Sequence, residues 1–145
     1  TTLRIAKDCK NIIAIKEASG NLDQIMYIIK NKPSDFLVLS GDDSLTLPMI
    51  YMGSEGVISV IAQAHPSEFS NMVKLALEGN IEDANNIHYS LYDFHNPFYK
   101  EGNPVGVKAC LEVQGMCASI VRPPLIRASK KISIQIQDLL DRKKI

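Results

Sequence analysis

The sequence has no CxxC pair, no apolar run of membrane-spanning length and no surplus of either charge. Its three cysteines, Cys9, Cys110 and Cys117, leave one unpaired in any pairing scheme. That favours reduced thiols in a cytoplasmic setting, packed as small apolar side chains, over a disulfide framework. Sixteen basic and sixteen acidic residues balance, so bulk charge points to neither a nucleic-acid nor a membrane partner. No signal-peptide pattern opens the chain, and no initiator methionine, which fits a chain that starts within a longer protein. Neither a P-loop nor a dinucleotide glycine fingerprint is present. His65, His88 and His95 lack metal-ligand spacing, and adjacent Asp42 and Asp43 read as helix capping and a solvated turn; no metal is expected. What is present is a chain of 145 residues, 46% apolar and 22% charged, enough for one globular core.

In order, Leu3, Ile5, Ala6 and Cys9 fit the tail of an amphipathic helix over 2–10. Residues 11–18, Asn-Ile-Ile-Ala-Ile-Lys-Glu-Ala, read as a buried strand rich in β-branched residues. Asn21 starts a helix, with Gln24 three residues on as in a capping box and Leu22, Ile25, Met26 and Ile29 as its stripe. Phe36 to Asp42 reads as a second buried strand. Asp43 can cap a short helix reaching Met52, and Gly53 can end it. Gly56 to Ile61 reads as a third strand. Pro66 opens a helix with Phe69, Met72, Val73, Ala76 and Leu77 as its stripe, closed by Gly79. Strand and helix alternating at this spacing predict right-handed βαβ units and a parallel sheet.

No strand is predicted after Gly79. Helices are expected from Ile81 to about Tyr99, from Asn103-Pro104 to about Gln114, and from Ser129 to Lys143, the last with Ile132, Ile136, Leu139 and Leu140 inward. Arg122-Pro123-Pro124 predicts an extended link, and Lys108 a surface charge.

Alternation along the first strand puts Ile12, Ala14, Lys16 and Ala18 on one face and Ile13, Ile15 and Glu17 on the other. Lys16 therefore stands between two alanines near the end of a strand expected to be buried. Two readings compete on this pattern: an ordinary strand-end lysine reaching for water, or a desolvated amine able to attack a carbonyl. The C-terminal edge of a parallel sheet is where α/β folds carry chemistry. Here that edge collects Lys16 with Ser19-Gly20, then Ser40-Gly41-Asp42-Asp43, then Ile58-Ser59, small residues that leave room for a compact substrate.

Residues 11–22, Asn-Ile-Ile-Ala-Ile-Lys-Glu-Ala-Ser-Gly-Asn-Leu, resemble the Schiff-base lysine signature of the dihydrodipicolinate synthase family, pyruvate-dependent class I aldolases that include N-acetylneuraminate lyase. Leu39-Ser40-Gly41-Asp42-Asp43 and Gly56-Val57-Ile58-Ser59-Val60 resemble the family's next two strand ends. Asn103-Pro104-Val105-Gly106-Val107-Lys108 and Arg122-Pro123-Pro124-Leu125 resemble its C-terminal helical segment. The resemblance runs the length of the chain but covers only the C-terminal half of the family. It implies an α/β fold, the C-terminal half of a (β/α)8 TIM barrel with three parallel strands, plus a C-terminal helical extension. Residues 1–79 would be strands six to eight with their helices, and 80–145 the helical segment.

The implied reaction condenses pyruvate with aspartate semialdehyde in lysine biosynthesis, with no metal or organic cofactor. The implied assembly is a homo-oligomer, usually a tetramer, or a pairing with the complementary N-terminal half. By the same resemblance Lys16 is the Schiff-base amine, the Ile58 backbone binds pyruvate and Gly41 lines the pocket. The family's catalytic tyrosine, its pyruvate-binding threonines, the arginine for the second substrate and the lysine feedback site fall in the half not covered. Two rival readings are an aldolase of the neuraminate-lyase or keto-sugar-acid type, and a catalytically silent half-barrel used for assembly.

Overall fold

Residues 1–143 are described in the computed structural model. They fall into two compact units, one of residues 1–59 with 71–85, the other of 60–70 with 86–145. The division falls within helices α4 (Pro66–Leu77) and α5 (Ile81–Tyr92).

The first unit holds α1 (Thr2–Asp8), β1 (Ala14–Glu17), α2 (Leu22–Asn31), β2 (Leu37–Ser40), α3 (Thr46–Tyr51) and β3 (Gly56–Val57). The strands form one sheet in the order β1-β2-β3. Both pairings are parallel: Lys16 lies opposite Leu39 and Glu17 opposite Ser40, while Gly56 and Val57 lie opposite Leu39 and Ser40. One face of the sheet is packed: Val38 joins Ile25, Ile28 and Met49 in a core, with Ile15, Leu22, Ile29, Leu45 and Met52 around it. Fully burying one such side chain contributes about 1.5–3 kcal/mol, so α2 and α3 hold this face firmly.

Local chemistry sets the element ends. The Asn21 side chain accepts from the Gln24 amide (3.1 Å) and caps α2. The Gln24 side chain does not complete the capping box by returning to Asn21; it reaches Glu17 and Ser19. Lys32, in extended conformation, ends α2 and pairs with Glu55 at 2.9 Å. The other Glu55 oxygen accepts the Val38 amide at 2.8 Å. Gly53 follows α3 at φ +107°, a conformation that suits glycine.

Three expectations are corrected here. Asp43 does not cap α3, which starts at Thr46 after Leu45 with no side-chain cap. Asp42 makes the turn instead, accepting from the Ser44 amide (2.9 Å) and hydroxyl (2.8 Å), and Asp43 is buried rather than solvated. The third strand stops at Val57, and Ile61–Gln63 form a 3-10 turn. Its partner β2 ends at Ser40, so residues beyond Ile58 have no ladder to extend. The Arg122-Pro123-Pro124 link turns rather than extends, with the Leu125 amide donating to the Arg122 carbonyl at 3.1 Å.

The second unit holds α6 (His95–Tyr99), α7 (Val105–Val113) and α8 (Lys130–Lys143). α7 packs on α8 and on α6. Ile132, Ile136 and Leu140 are the buried stripe of α8, and Val105, Val107, Ala109 and Cys110 that of α7. Lys108 is half-buried rather than a surface charge. Among the described residues, no helix is long and apolar enough to cross a membrane.

Candidate active site

Three strand ends converge at one edge of the sheet. The Gly41 amide donates to the Glu17 carbonyl at 2.8 Å, and the Ile58 amide to the Ser40 carbonyl at 2.9 Å. Each bond carries the parallel ladder past the last strand residue, so Lys16, Gly41 and Ile58 lie side by side on three neighbouring chains. Gly41 leaves the room Lys16 occupies. A Cβ at position 41 would stand 2.6 Å from the Ala18 Cβ and 2.8 Å from the Lys16 Cε. Ala18 and Lys16 thus share a face, as alternation requires.

That face is open, which corrects the expectation of a buried lysine. Lys16 is exposed. Around it Ile12 is 40%, Leu37 38% and Ile58 50% exposed. The reason is geometric: α2 and α3 cover one side of the sheet, and Lys16 stands on the other. Among the described residues no hydrogen bond or ion pair holds the Lys16 ammonium. Its stem runs beside the gap at Gly41.

On the covered side, the residue after Lys16 carries information that pattern reading missed. Glu17 is 6% exposed. One oxygen accepts the Ser19 amide at 2.8 Å and the other accepts from the Gln24 side chain at 3.3 Å. Its place on the helix-facing side of β1, following alternation from Ile15, was the available signal. In the second unit, His65, Glu68 and Lys143 form another cluster unseen in the sequence. Lys143 pairs with Glu68 at 2.8 Å and lies 3.4 Å from His65 Nδ1. Burial, then the Lys143 ammonium, pushes His65 down to about 4, against a smaller opposing pull from Glu68. Burial pushes the Cys110 thiol up to about 12. Neither group belongs to the strand edge. Among the described residues no group of three or more His, Cys, Asp or Glu side chains could hold a metal ion.

Three parallel strands with their chemistry-bearing residues at one C-terminal edge define part of a (β/α)8 barrel. The chain superposes on the crystal structure of dihydrodipicolinate synthase from Aquifex aeolicus with a TM-score of 0.94 and 39% identity, over 99% of this chain and 49% of that one. The Dihydrodipicolinate synthetase family model matches residues 1–143. The 4-hydroxy-tetrahydrodipicolinate synthase of Phocaeicola vulgatus is 53% identical over 126 residues, 87% of this chain and 42% of that protein. That of Flavobacterium psychrophilum is 47% identical over 133 residues, 92% and 45% of the two chains. The chain therefore belongs to the dihydrodipicolinate synthetase family, and it spans about half the length of the relatives it matches.

Proposed function

We propose that this chain carries the imine-forming lysine of a pyruvate-dependent class I lyase. That lyase is a synthase condensing pyruvate with aspartate semialdehyde to 4-hydroxy-tetrahydrodipicolinate in lysine biosynthesis. The observation that carries the reading is the placing of Lys16 at the C-terminal end of β1, against the gap left by Gly41. The names of the relatives support the choice of reaction.

In this reading the neutral Lys16 Nζ adds to the ketone carbon of pyruvate, and loss of water gives an iminium. The iminium draws electrons from the adjacent carbon, so a methyl proton leaves to a base and an enamine forms. The enamine carbon attacks the aldehyde of the second substrate, and water later releases Lys16. Gly41 keeps bulk away from the amine. Ile58 offers its backbone to the pyruvate; its amide is engaged by the Ser40 carbonyl, leaving its carbonyl as the available group. The base and the second substrate's contacts come from the remaining barrel strands, which would cover Ile12, Leu37 and Ile58. Residues 1–79 then act as barrel and 80–145 as helical extension, in a cytoplasmic homo-oligomer or one completed by an N-terminal half. The openness of the Lys16 face favours a second reading, in which the chain alone is an assembly module without catalysis.

Borohydride trapping separates the two. The chain is incubated with pyruvate, reduced, digested and read by mass spectrometry, with Lys16→Ala and Lys130→Ala as controls. A pyruvate adduct selective for Lys16, lost only in Lys16→Ala, is expected. No adduct, or equal labelling of many lysines, would overturn imine formation by this chain and leave the assembly reading.

A further inference from the structure

We propose that Glu17 is a positioning residue for Lys16, its side chain holding the turn over Ala18 to Gly20 beside the amine from the far side of the sheet. The proposal rests on Lys16 being the imine-forming lysine. Glu17 follows Lys16 in β1, so its side chain leaves the sheet on the opposite face and touches no substrate. There it is buried, and both carboxylate oxygens are used. Burying a carboxylate is costly unless its oxygens are matched by donors, and here each donor belongs to the segment that frames the lysine.

The bonds form a closed ring. Glu17 accepts the Ser19 amide (2.8 Å) and the Gln24 side-chain amide (3.3 Å). The same Gln24 nitrogen lies 3.4 Å from the Ser19 hydroxyl, which accepts the Asn21 amide at 3.2 Å. Asn21 in turn accepts the Gln24 backbone amide at 3.1 Å, closing the ring at the start of α2. The ring fixes the turn over Ala18, Ser19 and Gly20 directly after the lysine. The Glu17 carbonyl meanwhile binds the Gly41 amide at 2.8 Å. Ala18 and the Lys16 stem both border the gap at Gly41. The Glu17 side chain thus sets the turn, while the bond to Gly41 comes from its backbone whatever the side chain, and an amine misplaced by about 1 Å loses rate steeply.

The test measures pyruvate trapping at Lys16 against pyruvate concentration, with amide exchange on the same proteins. Glu17→Ala removes both acceptors. Glu17→Gln keeps the acceptor for Ser19 and recovers the second bond when the Gln24 amide turns over. Gln24→Ala opens the ring from its other side. The expected result is a maximal trapping rate at least tenfold lower in Glu17→Ala, within threefold of the parent in Glu17→Gln, and intermediate in Gln24→Ala. Half-saturating pyruvate should move less than threefold, because Glu17 does not meet the substrate. Parental rates in Glu17→Ala overturn the proposal, as does a Glu17→Gln rate as low as that of Glu17→Ala, which would assign the effect to charge. If Glu17→Ala does not fold, Glu17→Gln and Gln24→Ala decide: a parental rate in Gln24→Ala then overturns it. Absence of any Lys16 adduct in the parent refutes imine formation instead. Amide exchange then decides: protection lost at Ser19 and Asn21 beyond the rest of the sheet supports positioning, and unchanged protection overturns it.

Discussion

Replacing Gly41 by alanine tests the geometry of the strand edge most directly. The new Cβ would stand 2.6 Å from the Ala18 Cβ, 2.8 Å from the Lys16 Cε and 3.1 Å from the Lys16 Cγ. Carbon atoms pack best at about 3.5–4.0 Å, so about 1 Å must be found. The exposed lysine stem can swing away, but Ala18 follows directly on β1 and its Cβ moves only with the backbone. The β1 and β2 ends must therefore part, which strains the Gly41 amide bond to the Glu17 carbonyl. Overpacking of this kind costs about 1–3 kcal/mol in stability. The displaced amine costs more in rate: about 1 Å corresponds to about a hundredfold, or about 2.7 kcal/mol at 1.36 kcal/mol per factor of ten. The assay is trapping at Lys16 beside a denaturant midpoint for each protein. A Gly41→Ala protein with parental rate and parental midpoint would refute the claim that this glycine makes room for the lysine.

Two further predictions concern the second unit. His65, 4% exposed, is held at about 4 against an ordinary 6.5. The unfolded chain therefore takes up a proton that the folded one refuses, and stability is full above pH 6.5 and falls as pH drops from about 6.5 to about 4. The total loss is about 3 kcal/mol; denaturant midpoints across that window should show the slope, and His65→Gln should flatten it. Gly106 lies against the Pro97 carbonyl oxygen and 2.5 Å from the Phe98 Cα, measured from where its Cβ would be. Backbone cannot yield as a side chain can, so Gly106→Ala should cost about 3 kcal/mol, read as a lowered denaturant midpoint.

The strands and their alternation with helices were legible because their signals are local: β-branched runs, an Asn cap, Pro66 at a helix start and glycines after helices. Helix faces were legible less evenly. For α8, Ile132, Ile136 and Leu140 of the expected stripe are buried and Leu139 is only half-buried. For α2 the stripe is rotated, with Ile28 buried where Met26 was expected. One residue turns a helix by about 100°, so with Ile25 and Ile28 facing the core Met26 is carried outward, to 45% exposed. The family resemblance singled out Gly41 and Ile58, and the three strand ends carrying them and Lys16 were legible together because parallel strands align their ends. The exposure of Lys16 was not, since an apolar run does not state whether one face or both will be covered. Nor was the His65–Glu68–Lys143 cluster, because sequence spacing gives no sign that Lys143 ends beside residues 65 and 68.

The two sides of the sheet now give one argument about where reactivity comes from. On the helix side the chain supplies everything: a core of Ile25, Ile28, Val38 and Met49, and the Glu17 ring. On the Lys16 side it supplies a lysine, a glycine gap and exposed Ile12, Leu37 and Ile58. Placement of the amine is thus internal to the chain, whereas its shielding from water is not. If that division is right, a polypeptide carrying the N-terminal half of the Aquifex aeolicus relative should raise the trapping rate at Lys16 without altering which lysine reacts. Excluding water from the amine and fixing the bound ketone should be worth at least a factor of ten, about 1.4 kcal/mol. Ile12, Leu37 and Ile58 should lose side-chain oxidation in hydroxyl-radical footprinting at the same time. Protected side chains with an unchanged rate would show that cover alone does not activate Lys16. A shift of the adduct to another lysine would show that placement is not internal after all.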